Sequence, residues 1–136
     1  MNARAIDLWE RAKKALLVAK TVLPLDPDSA ASRAYYAAFY AASARFALEG
    51  RIFRKHSALE AAIHRDLVKS GIWSPELGQG YARLAAARSV GDYGEGQHVA
   101  APHAAETVEI AAEILRAIAA EHPDEFPAFA IEDQEL

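Results

Sequence analysis

Arg88 and Asp92 are spaced for chemistry. They stand four residues apart in Arg88-Ser89-Val90-Gly91-Asp92-Tyr93. On a helix, that spacing sets a guanidinium beside a carboxylate, a pair worth only a few tenths of a kcal/mol when exposed. The planar guanidinium fork also matches phosphate oxygens. Arg33 is a second cation of interest, early on a stretch that is otherwise apolar. There it needs an acid: Asp92 is the expected partner, with Asp28 as the local alternative. The histidines offer no metal site. His56 and His64 are eight apart, and His98 and His103 are five apart through a glycine-rich segment. Neither spacing puts two imidazoles on one ion. With no cysteine, and no serine in a known pattern with histidine, nucleophilic catalysis has no candidate. No metal and no cofactor are expected.

The elements that must carry these residues read as helices. The central stretch is Ser32-Arg33-Ala34-Tyr35-Tyr36-Ala37-Ala38-Phe39-Tyr40-Ala41-Ala42. It has no glycine, proline or β-branched residue, so little entropy opposes a helix. Its aromatics recur at i, i+1, i+4 and i+5, which makes one broad face. Alanine covers the other faces. A helix apolar nearly all round belongs at the buried centre of a bundle, and the Tyr35, Tyr36, Phe39, Tyr40 face is expected in the core. This second helix should be capped by Asp28 or Ser29 and run to about Glu49, where Gly50 ends it.

Before it, apolar residues at three- and four-residue steps predict a first helix over 3–22, stopped by Pro24 and Pro27. After it comes a basic loop, 51–56, pinned by Ile52 and Phe53. The capping box of Ser57 and Glu60 should start a third helix. Ser74-Pro75-Glu76 opens a fourth helix over about 75–92, with a break near Gly78 and Gly80, and with Tyr81, Leu84, Ala85 and Arg88 on one face. Gly91, Gly94 and Gly96 mark a hinge. Pro102 opens the last helix. The expected fold is all-α: an up-and-down four-helix bundle with one or two extra short helices. The bundle should occupy residues 1–122. Residues 123–136 read as a tail, with Phe126 and Phe129 able to dock.

The chain has 136 residues and no cysteine, so disulfides and thiolate metal sites are excluded. No apolar run resembles a signal peptide or a membrane span, and the protein is expected in the cytoplasm. The net charge of −4 argues against sequence-independent binding of long duplexes. The charge is uneven. Residues 45–69 hold Arg45, Arg51, Arg54, Lys55, Arg65 and Lys69 against Glu49, Glu60 and Asp66, whereas nine acids and one base follow from Glu106 onward. A local basic patch or a solvated face would each fit.

The segment SRAYYAAFY resembles the signature helix of the HEPN domain, in the small single-domain prokaryotic group with RAYYAAFHAA. The resemblance covers about residues 5–120 and returns at Arg88. Tyr40 stands where the family's usual histidine would be. HEPN proteins that cleave RNA do so without a metal. They use an arginine and, after four to six residues, a histidine, with two copies meeting across a dimer. Here Arg88 keeps the arginine and Tyr93 takes the histidine's place, within the Asp-Tyr form usual in this group.

The resemblance therefore implies Arg88, Tyr93 and His98 as candidate catalytic residues, and Arg33, Arg88, Asp92 and Tyr93 as candidate ligand-binding residues. Tyrosine titrates near pH ~10 and is a poor base at neutrality. The resemblance also implies binding of nucleotide or RNA, or of a nucleotidyltransferase-type partner, in a toxin–antitoxin-like pair. The alternatives are a metal-independent endoribonuclease toxin and a non-catalytic dimerisation module. A homodimer is expected, with Tyr81, Leu84 and Arg88 at its interface.

Overall fold

The computed structural model describes residues 2–127. Within them the chain forms α1 (Ala3–Val22), α2 (Pro27–Ala47), α3 (His56–Ala62), α4 (Pro75–Tyr93) and α5 (Ala101–Glu121). α3 runs on into a wider, π-type segment, Ile63–Val68. The four long helices make the expected up-and-down bundle, and α3 with its π segment bridges α2 and α4. α2 is central and packs on α1, α4 and α5.

Local chemistry sets the boundaries. Asn2 caps α1: its side-chain oxygen accepts from the Ala5 amide at 3.0 Å, and its amide donates to the Ala47 carbonyl at 2.7 Å. The cap of α2 is Asp26, not Asp28 or Ser29. It accepts from the Ser29 amide at 3.3 Å and the Ser29 hydroxyl at 2.6 Å, with Pro27 at the first helical position. Asp28 is thereby free to bond elsewhere. The Ser57–Glu60 capping box does not form. α3 begins at His56, and the flanking Lys55 makes no side-chain cap. Ser74 caps α4 as its sequence implies, accepting from the Leu77 amide at 3.1 Å.

α4 is unbroken at Gly78 and Gly80. A Cβ on Gly78 would stand 2.6 Å from Val68 Cγ2, and one on Gly80 would stand 2.9 Å from Ile110 Cγ2. These glycines let helices approach closely; they do not end one.

The alanines of α2, and not its whole aromatic face, make the core. Ala30, Ala34, Ala37, Ala38, Ala41, Ala42 and Ala44 are fully buried. Tyr35 is buried too, but Tyr36, Phe39 and Tyr40 are only half-buried. Alanine allows α1, α4 and α5 to come close on the other sides, and α3 covers only part of the aromatic side. Larger side chains fill the remaining space, among them Trp9, Phe46, Tyr81, Leu84 and Leu115. Phe126 is buried as well and stacks on Trp9 at 4.8 Å; Phe129 lies outside the described residues.

Much of the basic patch is neutralised. Arg45 is buried, gripping Glu121 through Nε and Nη2 at 3.2 and 2.7 Å, and Glu49 through Nη1 at 2.6 Å. Arg51 and Arg65 share Asp66, at 2.8 and 2.9 Å. The two guanidiniums hold its carboxyl down at about 2. Arg54 and Lys55 stay exposed. Phe53 pins the loop against Phe46 with rings 5.2 Å apart, whereas Ile52 is 57 % exposed and pins nothing.

Candidate functional site

The half-buried aromatic face of α2 meets the C-terminal half of α4 at Arg88. Nη2 of Arg88 donates to the Tyr36 hydroxyl at 2.9 Å. Nε lies 3.1 Å from Oδ2 of Asp92, one turn on. That is an ion pair, but it is not aligned as a hydrogen bond, and Nε is buried without one. The guanidinium carbon is 5.3 Å from the Tyr35 ring centre, 5.4 Å from Tyr36 and 5.3 Å from Tyr93. Such cation–π contacts hold the head group at the surface without a second acid.

Arg33 sits against the same Tyr36 ring, with its guanidinium carbon 4.9 Å from the centre. It makes no ion pair among the described residues. The expected Arg33–Asp92 pair is absent because Asp92 belongs to Arg88, and the alternative, Asp28, is turned to the loop after α4. Arg33 and Asp92 do line one open groove, together with Ser29, Ser32 and Gly91. Two guanidiniums thus share one phenol ring, and among the described residues one carboxylate, Asp92, is ion-paired with either.

The third component is His56, at the first turn of α3. Its Nδ1 is 2.8 Å from the Tyr35 hydroxyl, a hydrogen bond. Its ring lies 4.4 Å from Phe39 and 5.7 Å from Tyr36. Burial, and then the positive charge of Arg88, lower its pKa below the usual histidine value. A neutral imidazole is therefore favoured beside Arg88 at neutral pH. Sequence reading weighed His56 only as a metal ligand and missed this placement. Its one sequence signal, a histidine after a basic loop at a helix start, says nothing about which ring it will meet. Among the described residues no group of His, Asp or Glu is arranged to hold a metal.

The remaining candidates lie at the end of α4. Tyr93 is 69 % exposed, so its hydroxyl faces solvent while its ring covers Arg88. His98 is tied to Asp28, with Nδ1 2.7 Å from Oδ2. The other Asp28 oxygen accepts from the Val99 amide at 2.7 Å. These two bonds lower the Asp28 pKa and clamp the loop onto α2. His98 and Tyr93 border one shallow groove with Asp92, but the imidazole packed among the Arg88 aromatics is that of His56. Tyr81 and Leu84 are fully buried in their own bundle, so they cannot supply the dimer surface expected of them. Ala85 is half-buried and Arg88 reaches the surface.

Comparison with known proteins agrees with this architecture. The HEPN domain family matches residues 5–122. A UPF0332 protein of Thermotoga maritima is 43 % identical over 94 residues, spanning 68 % of this chain and 71 % of that protein. Among the described residues no helix is long and apolar enough to cross a membrane. The helical bundle, its tyrosine-rich central helix and the arginine facing it from α4 fall inside the matched span, and the chain belongs to the HEPN domain family.

Proposed function

We propose that this protein binds the phosphate of a nucleotide or RNA at Arg33, Tyr36 and Arg88, as a homodimer that works beside a nucleotidyltransferase-type partner in a toxin–antitoxin-like pair. One observation carries the phosphate reading: Arg33 and Arg88 press on the same Tyr36 ring, and among the described residues Asp92 is the one carboxylate ion-paired with either. Like charges held together repel, and an anion placed between them relieves that repulsion. A guanidinium's parallel N–H groups match phosphate oxygens, and the Tyr36 hydroxyl, which accepts from Arg88, keeps its own O–H to donate. The partner reading rests on the family and on Tyr93, whose exposed hydroxyl beside Arg88 is open to contact or modification.

Titration of adenosine 5′-monophosphate and of a short single-stranded RNA into the protein tests the phosphate reading. Binding should weaken as salt rises. Arg88→Glu should abolish it while the helical circular dichroism stays unchanged. Binding that ignores both salt and Arg88→Glu would refute the reading. Sedimentation showing a monomer at tens of micromolar would refute the homodimer.

A second reading is metal-independent RNA cleavage. It is favoured by the imidazole of His56 beside Arg88, because such cleavage needs an acid/base group and a cation for phosphate. It predicts RNA products with 2′,3′-cyclic phosphate ends that form in the presence of a chelator and vanish with Arg88→Ala.

A further inference from the structure

The aromatic face of α2 is incompletely covered. Tyr36, Phe39 and Tyr40 remain half-buried while the alanines around them are sealed. Phe39 packs on His56 at 4.4 Å and on Tyr36 at 6.0 Å. His56 is anchored by Tyr35 through Nδ1, and its Nε2 has no protein hydrogen-bond partner among the described residues. An imidazole fixed at one nitrogen and open at the other can meet a polar edge. The rings around it offer flat apolar surface.

The surroundings select the occupant. Arg33 and Arg88 border these rings, so an apolar protein surface laid here would leave Arg33 without an anion and Arg88 with Asp92 alone. A nucleotide satisfies both features, because its base is flat and its phosphate is negative. Aromatic rings interleaved with cations are what binders of unpaired bases use. Tyr36 stands between the two halves. Its ring is 5.4 Å from the Arg88 guanidinium carbon, 6.0 Å from the Phe39 ring and 5.7 Å from His56. A ribose can bridge such a gap.

We propose that Phe39 and His56 form the base-binding half of a nucleotide site whose phosphate half is Arg88. Phe39 supplies the stacking surface, and Nε2 of His56 meets a polar edge of the base. This rests on the phosphate reading above and adds the base to it.

The test compares adenosine 5′-monophosphate with ribose 5-phosphate, which has the same phosphate and no base. Dissociation constants come from NMR titration of the wild type, His56→Ala, Phe39→Leu and Arg88→Ala. The wild type should prefer the nucleotide by at least about fivefold, the lower end of what one base–aromatic stack gives. His56→Ala and Phe39→Leu should each erase that preference and leave ribose 5-phosphate binding unchanged. Arg88→Ala should weaken both ligands.

Equal loss of both ligands in His56→Ala and Phe39→Leu would overturn the proposal and assign these side chains a structural role. Wild-type binding of ribose 5-phosphate with no gain for the nucleotide would overturn this proposal alone. Failure of both ligands to bind the wild type would remove the phosphate reading and this one with it. The two variants act through different elements, so if one misfolds the other still decides.

Discussion

Phe39→Ala should cost clearly less than Phe46→Ala, although both residues lie on α2 seven positions apart. Phe46 is fully buried, in contact with Phe53. Removing such a ring costs about 3–5 kcal/mol, from lost transfer energy plus the cavity left behind. Phe39 is half-buried, so its ring has left water only in part. Scaling by burial gives about 1.5–2.5 kcal/mol for Phe39→Ala. Its nearest ring partner, His56, can also settle into the space, which keeps the cavity term small. At about 3–4 °C per kcal/mol for a chain of this size, the melting point should fall by roughly 5–10 °C for Phe39→Ala and 9–20 °C for Phe46→Ala. Urea unfolding followed by circular dichroism measures both losses directly. Equal losses, within about 0.5 kcal/mol, would show that the Phe39 ring is as buried as Phe46, and the open aromatic face would not exist.

Arg45→Ala should destabilise by about 1–3 kcal/mol in denaturant melts, because Glu121 loses its bidentate partner, whereas Arg45→Met should cost much less. The His56 pKa is lowered on folding, so between pH 6.5 and the folded value the unfolded chain binds more protons, and stability falls as pH drops through that window. Arg88 of α4 and Tyr35, Tyr36 and Phe39 of α2 face it; NMR titration should put His56 below the ordinary histidine value, and Arg88→Ala should move it part of the way back up. Asp66 is held at about 2, so its share of stability is present above the ordinary carboxylate value of 3.8 and is lost as pH falls from there toward 2, a slope that Arg51→Ala should flatten in acid melts. Gly91→Ala should destabilise despite alanine's better helix propensity, because its Cβ would meet the Asp28 carbonyl oxygen at 2.7 Å, a backbone atom that cannot swing aside; thermal melts showing a gain would refute that close approach.

Local rules made the fold class legible before any coordinates. Periodicity and breakers are properties of neighbours in sequence, so the 3–22 helix, the Ser74 cap and the Pro102 start could be read directly. The misreadings occurred where two local solutions compete. Asp26 and Asp28 can both cap α2, and Asp28 is taken by Val99 and His98, seventy or more residues away in the chain. Gly78 and Gly80 resemble helix breakers until the neighbours that need their missing Cβ atoms are seen.

Residue types alone therefore determined an all-helical bundle without disulfides, organised around an alanine and tyrosine helix, with Arg88 on another helix. Only the tertiary structure decided which face of that helix stays open and which charges remain free. Arg45 looked like part of a surface patch and is sealed between two glutamates, while Arg33 looked destined for a carboxylate and rests on Tyr36. His56 joins Arg88 although 32 residues separate them in sequence. The physical reason is range. Helix propensity and capping act over three or four residues, whereas burial, cation–π contact and pKa shifts depend on what the packing brings alongside.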